Sequence, residues 1–438
     1  MRKVAILVFF TALFLFAAAW YGGGLQAQES ERYGVLLVPD LSTFQFPEPL
    51  FPAMSQAGIR WAKAQFDREL IHLGPGQFDW TKTDEMVAQA AAHGIQLLGE
   101  LGASPLWDTT APGPEDYYTY PPADYDQWAD YVFQTVSRYK DFVRYWEVWN
   151  EEDQTPPQGF WSGTPAEYAR LLAVAYREVK RADSTAQVLI CGFLAISGSV
   201  SFFQQIMADP DNPADQNFDI MSIHGYFTAQ EARDKVIFWR SMTSKPLWVT
   251  EMGFPADPQL QTFDPEFCCS GAEAQARFLQ TVMPDLANLG AEKVFWFALW
   301  VPENPWPEFD SHGLLDRSFT PRQAYFALRD LLGSSPPPTA SLSVSPTSIP
   351  VGGTITATWS GIATPTPNDW IGLYLQGTGD FELIDWIHVS CSQTPGSAHA
   401  AGSCPFVVPL SAGTYELRLF ANESLTRLAT SNAFTFTE

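Results

Sequence analysis

The chain has 438 residues, more than one compact core normally holds, which predicts one domain of roughly 300 residues and a smaller one. Hydrophobic residues make up 46% of the chain and charged residues 17%, a balance that argues against disorder over most of the length. The formal net charge of −24 argues against nucleic acid as a partner and disfavours anionic polymers relative to neutral ones.

The amino terminus has the pattern of a secretory signal peptide. Arg2 and Lys3 supply the positive start, residues 4–20 form an apolar run, and an acceptable small-residue cleavage site ends at Ala27. Residues 1–27 are therefore predicted to be removed, giving a secreted, extracellular or periplasmic protein without membrane association. A retained membrane anchor is the alternative, because the apolar run is almost long enough to span a bilayer.

Eight apolar, strand-like runs then alternate with helical stretches. The predicted strands are Tyr33–Val38, Gly58–Ala64, Gln96–Leu101, Val143–Trp149, Gln187–Cys191, Ile220–His224, Leu247–Thr250 and Lys293–Ala298. Helix-start chemistry supports the alternation, since Thr164 to Glu167 forms a capping box with proline at the first helical position. Eight such units predict an α/β fold, a closed (β/α)8 TIM barrel over residues 32–332, rather than an open doubly wound sheet.

A second domain is predicted beyond a Pro/Ser-rich linker at residues 333–340. In residues 341–438, helical patterns vanish and period-two runs such as Thr354–Trp359 predict a small all-β sandwich. The runs Asp369–Tyr374 and Arg418–Asn422 are similar to those of immunoglobulin-like domains that are appended to exported bacterial hydrolases. The ligand of this domain does not follow from the sequence.

Five cysteines in an exported chain indicate limited disulfide use. Cys391 and Cys404 lie 13 residues apart and can close one bridge. The adjacent Cys268 and Cys269 are open to a vicinal disulfide, to remaining free or to other partners, whereas Cys191 is predicted to be buried in a strand. No Cys/His cluster has metal-ligand spacing, so neither a catalytic metal nor another cofactor is predicted.

Two predicted barrel strands end on a carboxylate. The fourth strand leads to Glu151 and the seventh to Glu251, and active sites of such barrels lie at the carboxyl ends of the strands. Cleaving a glycosidic bond with retention requires two carboxyl groups about 5 to 5.5 Å apart, one protonated and one ionised. These two residues are therefore the predicted pair. Glu147 lies deeper in the fourth strand and is predicted to pair with a cation inside the barrel.

The same residues match a family pattern. The run Trp146–Glu151 resembles the Asn-Glu motif of clan A glycoside hydrolases, and Trp248–Phe254 resembles their nucleophile strand. The resemblance extends through most of Tyr33–Leu332 and is nearest to glycoside hydrolase families 39 and 5. It implies that Glu151 is the acid/base and Glu251 the nucleophile.

The resemblance also implies residues that bind the substrate or support the pair. Asn150 would hydrogen-bond the sugar 2-hydroxyl, and Arg60, near the end of the second strand, matches the clan's arginine that helps keep the nucleophile ionised. His224 and Tyr226 match the sixth-strand pair, with Tyr226 a donor to the nucleophile. Structural roles stay open: Arg60 as an ion-pair partner, and His224 or Tyr226 as core residues.

Aromatic residues and departures from the family pattern bear on the subsites. Trp300 is a candidate floor for the cleaved sugar and Trp107 for a neighbouring subsite, although barrels also bury such residues routinely. The usual proline after Asn-Glu is Glu152 here, which adds a second carboxylate beside the acid. Phe66 stands where related chains often carry tryptophan, which predicts a different subsite shape.

The predicted function is retaining hydrolysis of β-glycosidic bonds in a neutral oligo- or polysaccharide. Two alternatives remain at the level of sequence: a non-catalytic carbohydrate-binding or surface-attachment protein on a barrel scaffold, and a transglycosylase. The presence of both carboxylates argues against the first alternative. Sugar, linkage, endo or exo action and oligomeric state depend on loops that the pattern does not specify.

Overall fold

The computed structural model describes residues 30–40, 43, 45–153, 159–194, 198–257, 264–267, 271–302, 309–333, 340–362, 365–380, 382–407, 411–422 and 427–437. The predicted signal peptide, most of the predicted linker, and Cys268 and Cys269 lie outside the described residues. The chain divides into two compact units, Met1–Ser334 and Ser335–Glu438. None of the helices in the described ranges has both the length and the apolar character that a bilayer crossing requires.

The first unit is built on eight parallel strands. These are β1 (Tyr33–Leu37), β2 (Trp61–Gln65), β3 (Gln96–Leu101), β4 (Val143–Val148), β5 (Gln187–Phe193), β6 (Ile220–His224), β7 (Leu247–Met252) and β8 (Lys293–Trp296). They form one closed barrel in which each strand pairs with its neighbours along the chain and β8 pairs with β1. The predicted (β/α)8 fold is confirmed.

Helices connect the strands. They are α1 (Leu50–Ala57), α2 (Arg68–Ile71), α3 (Thr81–Ala92), α4 (Tyr125–Tyr139), α5 (Pro165–Ala182), α6 (Ser199–Met207), α7 (Ala229–Met242), α8 (Ala272–Asn288) and α9 (Gln323–Leu331). The predicted capping box at Thr164 and Glu167 is present at the start of α5, with Pro165 as its first residue. A second capping box, formed by Thr228 and Glu231, starts α7.

The barrel interior is arranged in layers because inward-facing side chains recur every second residue along a strand. Near the beginnings of the strands, a closed apolar layer is formed by Trp61, Leu98, Leu189, Ile220, Trp248 and Phe295. Two residues further along the same strands the interior becomes polar, with Lys63 after Trp61 and Ser222 after Ile220, both fully buried. The polar layer faces the carboxyl ends of the strands, so it supports the predicted active-site mouth from below.

The second unit contains only strands among its described residues. They are β9 (Ser341–Ser345), β10 (Ser348–Pro350), β11 (Thr354–Ser360), β12 (Trp370–Leu375), β13 (Asp385–His388), β14 (Gly402–Val407), β15 (Gly413–Phe420), β16 (Arg427–Thr430) and β17 (Phe434–Thr437). One sheet has the order β9-β11-β14, and the other the order β10-β17-β15-β12-β13 with β16 paired to β15. The predicted all-β domain is confirmed, while its immunoglobulin-like character stays a prediction.

Side-chain alternation and one disulfide stabilise this unit. Along β11, every second residue is buried in the core between the sheets, where Trp359 lies. Cys391 and Cys404 form the bridge that their spacing allowed, with Cα atoms 5.2 Å apart. Cys191 is a buried free cysteine in β5, as predicted.

Candidate active site

Glu151 reaches the barrel mouth through two residues in left-handed backbone conformation. After β4 ends at Val148, Trp149 has φ +71° and Glu151 has φ +49°. The turn is held at both edges, because the Trp149 backbone N–H donates to the Leu101 carbonyl at 2.7 Å and its indole N–H donates to the Phe160 carbonyl at 2.7 Å. Non-glycine residues with positive φ are uncommon and concentrate at functional sites.

Glu251 reaches the same mouth through an irregularity in β7. Strict alternation would place Thr250 and Glu251 on opposite faces of the strand. The register between β6 and β7 shifts at this point, since Ile223 pairs with Val249 but His224 pairs with Glu251. Such a bulge turns both Thr250 and Glu251 toward the barrel interior, where their side chains make their hydrogen bonds.

His224 brings the two carboxylates into one cluster. Its Nδ1 lies 2.7 Å from Glu151 Oε1, and its Nε2 lies 3.6 Å from Glu251 Oε1. One carboxylate oxygen of Glu151, one of Glu251 and one nitrogen of His224 all lie within 4.8 Å of one another. Tyr226 donates its hydroxyl to Glu251 Oε2 at 2.8 Å. The structure therefore brings together four residues that the sequence singled out.

The two carboxyl groups are shifted in opposite directions. Burial raises the pKa of Glu151 above its usual value of 4.5. Burial acts in the same sense on Glu251, but the charges of His224 and Lys63 and the hydrogen bonds from Lys63 and Tyr226 outweigh it, so the pKa of Glu251 lies below 4.5. Burial opposes a charged imidazole, yet the neighbouring carboxylates raise the pKa of His224 above its usual value of 6.5.

A buried lysine that the sequence reasoning missed lies beneath the pair. The ammonium of Lys63 is 3.0 Å from Glu251 Oε1, 2.8 Å from Glu100 Oε2 and 2.7 Å from Glu147 Oε2. Glu147 thus pairs with a cation inside the barrel, as predicted. The available signal was a lysine at inward parity, two residues after Trp61, in an otherwise apolar stretch of β2.

Arg60 does not lie where the resemblance implied, and this prediction was wrong in position. Helix α1 ends at Gly58, which adopts φ +74°, and β2 begins only at Trp61. Arg60 therefore precedes the strand, at the end of the barrel opposite the mouth, and its side chain is exposed. The cation that contacts Glu251 comes from the middle of β2 instead.

Asn150 and the predicted tryptophans occupy different settings. Asn150 is half-buried beside Glu151, and its Oδ1 has no hydrogen-bond partner among the described residues. Trp107 is 38% exposed and donates its indole N–H to the His72 carbonyl. Trp300 is only 6% exposed and stacks on Phe319 at 5.1 Å, so little of its ring is free to receive a sugar.

A different aromatic residue, Phe297, lies beside Tyr226, the donor to Glu251. It is partly buried just after β8, and its ring centroid is 6.0 Å from that of Tyr226. Phe309 and His312 surround it at 5.5 and 6.3 Å. Between Phe297 and Trp300, two described aromatic residues after β8, Phe297 is the more exposed and the one that contacts the donor to Glu251.

The cluster of Glu151, His224 and Glu251 also has ligand types and spacing that a metal ion accepts. Two contacts in the structure disfavour this use. The Lys63 ammonium already lies against Glu251 Oε1, where its charge repels a cation, and His224 Nδ1 is engaged with Glu151 Oε1. A carboxylate pair with opposed protonation states fits these contacts better.

Comparison with known proteins gives an independent result. Residues 165–322 match the family model described as glycosyl hydrolase catalytic core. The fold of the chain is shared with family 39 glycoside hydrolases. One such enzyme, from the gut symbiont Bacteroides cellulosilyticus WH2, has a TM-score of 0.56 at 17% identity, over 81% of this chain and 79% of that chain.

Two further solved structures are similar. The family 39 enzyme from Xanthomonas axonopodis pv. citri has a TM-score of 0.54 at 17% identity, covering 78% of this chain and 80% of its own. The family 39 β-xylosidase from Caulobacter crescentus has a TM-score of 0.53 at 17% identity, covering 78% and 82%. No curated protein matches the chain. The predicted resemblance to glycoside hydrolases is confirmed by the catalytic-core match and by the fold.

Proposed function

We propose that this protein is an exported retaining glycoside hydrolase that cleaves β-glycosidic bonds in a neutral oligo- or polysaccharide. The observation that carries the proposal is the approach of Glu151 and Glu251 to within 4.8 Å, oxygen to oxygen, at the mouth of the barrel. Retaining enzymes place their carboxyl groups about 5 to 5.5 Å apart, whereas inverting enzymes leave about 6.5 to 9.5 Å for a water molecule.

The opposed environments support a role for each carboxyl. Glu251, whose pKa is lowered by His224 and Lys63 against the effect of burial, is ionised and attacks the anomeric carbon. Glu151, whose pKa burial raises, gives its proton to the departing glycosidic oxygen. The bond between sugar and aglycone breaks as an ester between the sugar and Glu251 forms.

The second half of the reaction reverses these roles. Glu151, now a carboxylate, takes a proton from water, and the resulting hydroxide attacks the anomeric carbon as the ester to Glu251 breaks. Two inversions restore the original configuration of the sugar. Asn150, with its free side-chain oxygen, accepts from the 2-hydroxyl, and Phe297 covers the apolar face of the ring.

Substrate choice starts from the charge of the chain and from its structural neighbours. The net charge of −24 repels acidic glycans, so neutral aryl β-glycosides are the first substrates to test. β-Xylosides lead the panel, because a similar structure is a β-xylosidase, followed by β-glucosides and β-galactosides. Proton NMR of the first-formed sugar should show the β-anomer before mutarotation.

Azide distinguishes the two carboxylates. We expect Glu251→Ala to lose turnover by about 10³-fold or more, since the covalent step is gone. Azide then attacks from the face that Glu251 vacated, so the product from a β-glycoside is the α-glycosyl azide. In the matched variant Glu151→Ala, the ester still forms from an activated aryl glycoside, and azide displaces it to give the β-glycosyl azide.

Three outcomes would reject the proposal. They are full activity in Glu251→Ala, the same azide anomer from both variants, and glycan binding without turnover across the panel. The last result would support the non-catalytic alternative. If turnover yields mainly a new glycoside at high acceptor concentration, the same covalent chemistry serves transfer instead of hydrolysis.

A further inference from the structure

The carboxyl groups inside the barrel outnumber the cations beside them. Among the described residues, four carboxyl groups, those of Glu100, Glu147, Glu151 and Glu251, are linked to two basic groups, Lys63 and His224. Each of the six residues is at most 8% exposed. Full ionisation of all six would leave two uncompensated negative charges in a buried space, which is energetically prohibitive.

Two protons are therefore required for neutrality. One resides on Glu151, whose pKa burial raises, and the other has to be on Glu100 or Glu147, because Lys63 at 3.0 Å and the Tyr226 hydroxyl at 2.8 Å keep Glu251 ionised. Both candidates contact the same Lys63 ammonium, at 2.8 and 2.7 Å respectively. The choice between them is decided by their other hydrogen bonds.

Glu147 is surrounded by donors. Its Oε1 accepts from the hydroxyl of Thr250 at 2.9 Å and from that of Ser222, while Lys63 faces its other oxygen. Two hydroxyl donors on one oxygen and an ammonium beside the other favour the ionised form of a carboxylate. Within the described ranges, the Glu100 side chain has Lys63 and a longer hydrogen bond of 3.2 Å from the Gln65 amide as its only polar contacts.

The further neighbours of Glu100 add no positive charge. Asp67 lies near it after β2, and burial raises the pKa of Asp67 to about 7. Tyr131 of α4 is also near, and burial raises the pKa of that phenol. Burial likewise raises the pKa of Glu100 itself, and the attraction of Lys63 does not compensate. Glu152, whose pKa burial raises, lies within electrostatic reach of Glu147 rather than of Glu100, and Lys235 donates its ammonium to the backbone carbonyl of His224.

We propose that Glu100 is a positioning residue that holds a proton while the enzyme works, so that the charge of Lys63 is left to Glu147 and Glu251. An ionised Glu100 would compete for the ammonium that contacts the nucleophile at 3.0 Å. The role in catalysis rests on the proposed function, whereas the protonation state of Glu100 does not.

The first test needs no substrate. Glu100→Gln copies the protonated carboxyl in shape and charge. Because the folded pKa of Glu100 is raised, the wild-type protein loses stability as pH rises from the unfolded value of 4.5 to the folded value, and the glutamine variant escapes this loss. The melting temperature of Glu100→Gln minus that of the wild type should therefore increase as pH rises. If Glu100 is ionised and held by Lys63, the variant instead falls below wild type above pH 4.5, which overturns the proposal.

The second test compares isosteric substitutions of the two carboxyl groups that share Lys63 with Glu251. In Glu147→Gln, a carboxylate is removed and Lys63 turns more fully to Glu251, so the acidic limb of kcat/KM should move down by about one pH unit. In Glu100→Gln, no charge is removed, so the acidic limb should move by less than about 0.3 pH unit. This is well below the shift expected for Glu147→Gln. If the acidic limb moves down in Glu100→Gln and stays in place in Glu147→Gln, the proton is on Glu147 and the inference is refuted.

The two proposals fail separately. Full activity in Glu251→Ala rejects the retaining reaction, while the melting comparison still reports the proton on Glu100. Loss of activity in Glu251→Ala together with a downward shift of the limb in Glu100→Gln rejects only the inference about Glu100. If Glu147→Gln does not fold, the Glu100→Gln measurements decide alone. Lys180→Met, which removes a lysine ion pair to Asp219 on the outer layer, is the matched control and should leave the limb in place.

Discussion

Glu151 and Glu251 have chemically identical side chains at one barrel mouth, and both residues are 8% exposed. Their difference therefore arises from their partners. Glu251 receives Lys63 at 3.0 Å and the Tyr226 hydroxyl at 2.8 Å, whereas the Glu151 side chain has, among the residues that the structure describes, only His224 at 2.7 Å. Burial raises the pKa of Glu151, which has few donors, whereas the donors around Glu251 outweigh burial and lower its pKa.

These shifts predict a bell-shaped dependence of kcat/KM on pH. Activity should rise as Glu251 ionises, through a pKa below 4.5, and fall as Glu151 loses its proton, through a pKa above 4.5. The measurement is kcat/KM for one substrate with a poor leaving group over a broad pH range. In Glu151→Gln with an activated aryl glycoside, which needs no acid, the basic limb should vanish. A basic limb that persists there would contradict the assignment of Glu151.

The residue scale also shows where sequence reasoning was sufficient. Glu151, Glu251, His224 and Tyr226 were each singled out by the strand they end or follow, and the structure brings them together. Lys63 and Phe297 were missed, because the sequence does not show whether a charged or aromatic side chain points to the barrel mouth or packs against other residues. Arg60 was misplaced because the end of α1 at Gly58 shifts the start of β2 by three residues.

At the scale of elements, irregularities position the chemistry. In β7, the side chain of Trp248 points inward, into the apolar layer. Strict alternation from Trp248 would place the side chain of Glu251 on the outer face of the barrel. The register shift between β6 and β7 corrects this, and no residue pattern in the sequence announces it. The left-handed turn at Trp149 and Glu151 is similarly specific to the folded chain, since neither residue type favours positive φ. Strand order was predictable, whereas these local departures were not.

A glycine in β5 makes room for the histidine that joins the pair. A Cβ atom at Gly192 would lie 2.0 Å from His224 Nε2, although its backbone φ is not in the left-handed region. We expect Gly192→Ala to displace the imidazole from Glu151. It should lower kcat on the order of 10²-fold, because a misplacement of about 1 Å in an enzyme active site has a cost of that size. Steady-state kinetics with the best aryl glycoside measures this.

The control for Gly192→Ala is another glycine without such a neighbour. A Cβ atom at Gly113 would meet nothing within 4 Å, and the residue has no positive φ, so Gly113→Ala should keep wild-type kinetics. Circular dichroism and melting curves should show both variants folded. Wild-type kcat in a folded Gly192→Ala protein would show that His224 does not need its observed position.

At the scale of the whole molecule, the two units differ in what stabilises them. The barrel unit has a closed sheet with an apolar layer and a buried charge cluster, while the smaller β unit adds the Cys391–Cys404 disulfide to its core. A bridge over a loop of this length contributes about 3 kcal/mol. Disulfides persist in oxidising compartments, so this bond agrees with the export that the amino-terminal pattern predicts.

Export leads to a prediction about the mature chain. Produced with its own leader in a bacterial host, the protein should be recovered outside the cytoplasm with Gln28 as its first residue, because cleavage follows Ala27. Peptide mass mapping should find Cys391 and Cys404 joined. The chain that starts at residue 28 after an initiator methionine is the control: it should stay in the cytoplasm with both thiols reduced, since that compartment keeps them so. Recovery of the uncleaved chain in the membrane fraction would instead establish the apolar run at residues 4–20 as an anchor.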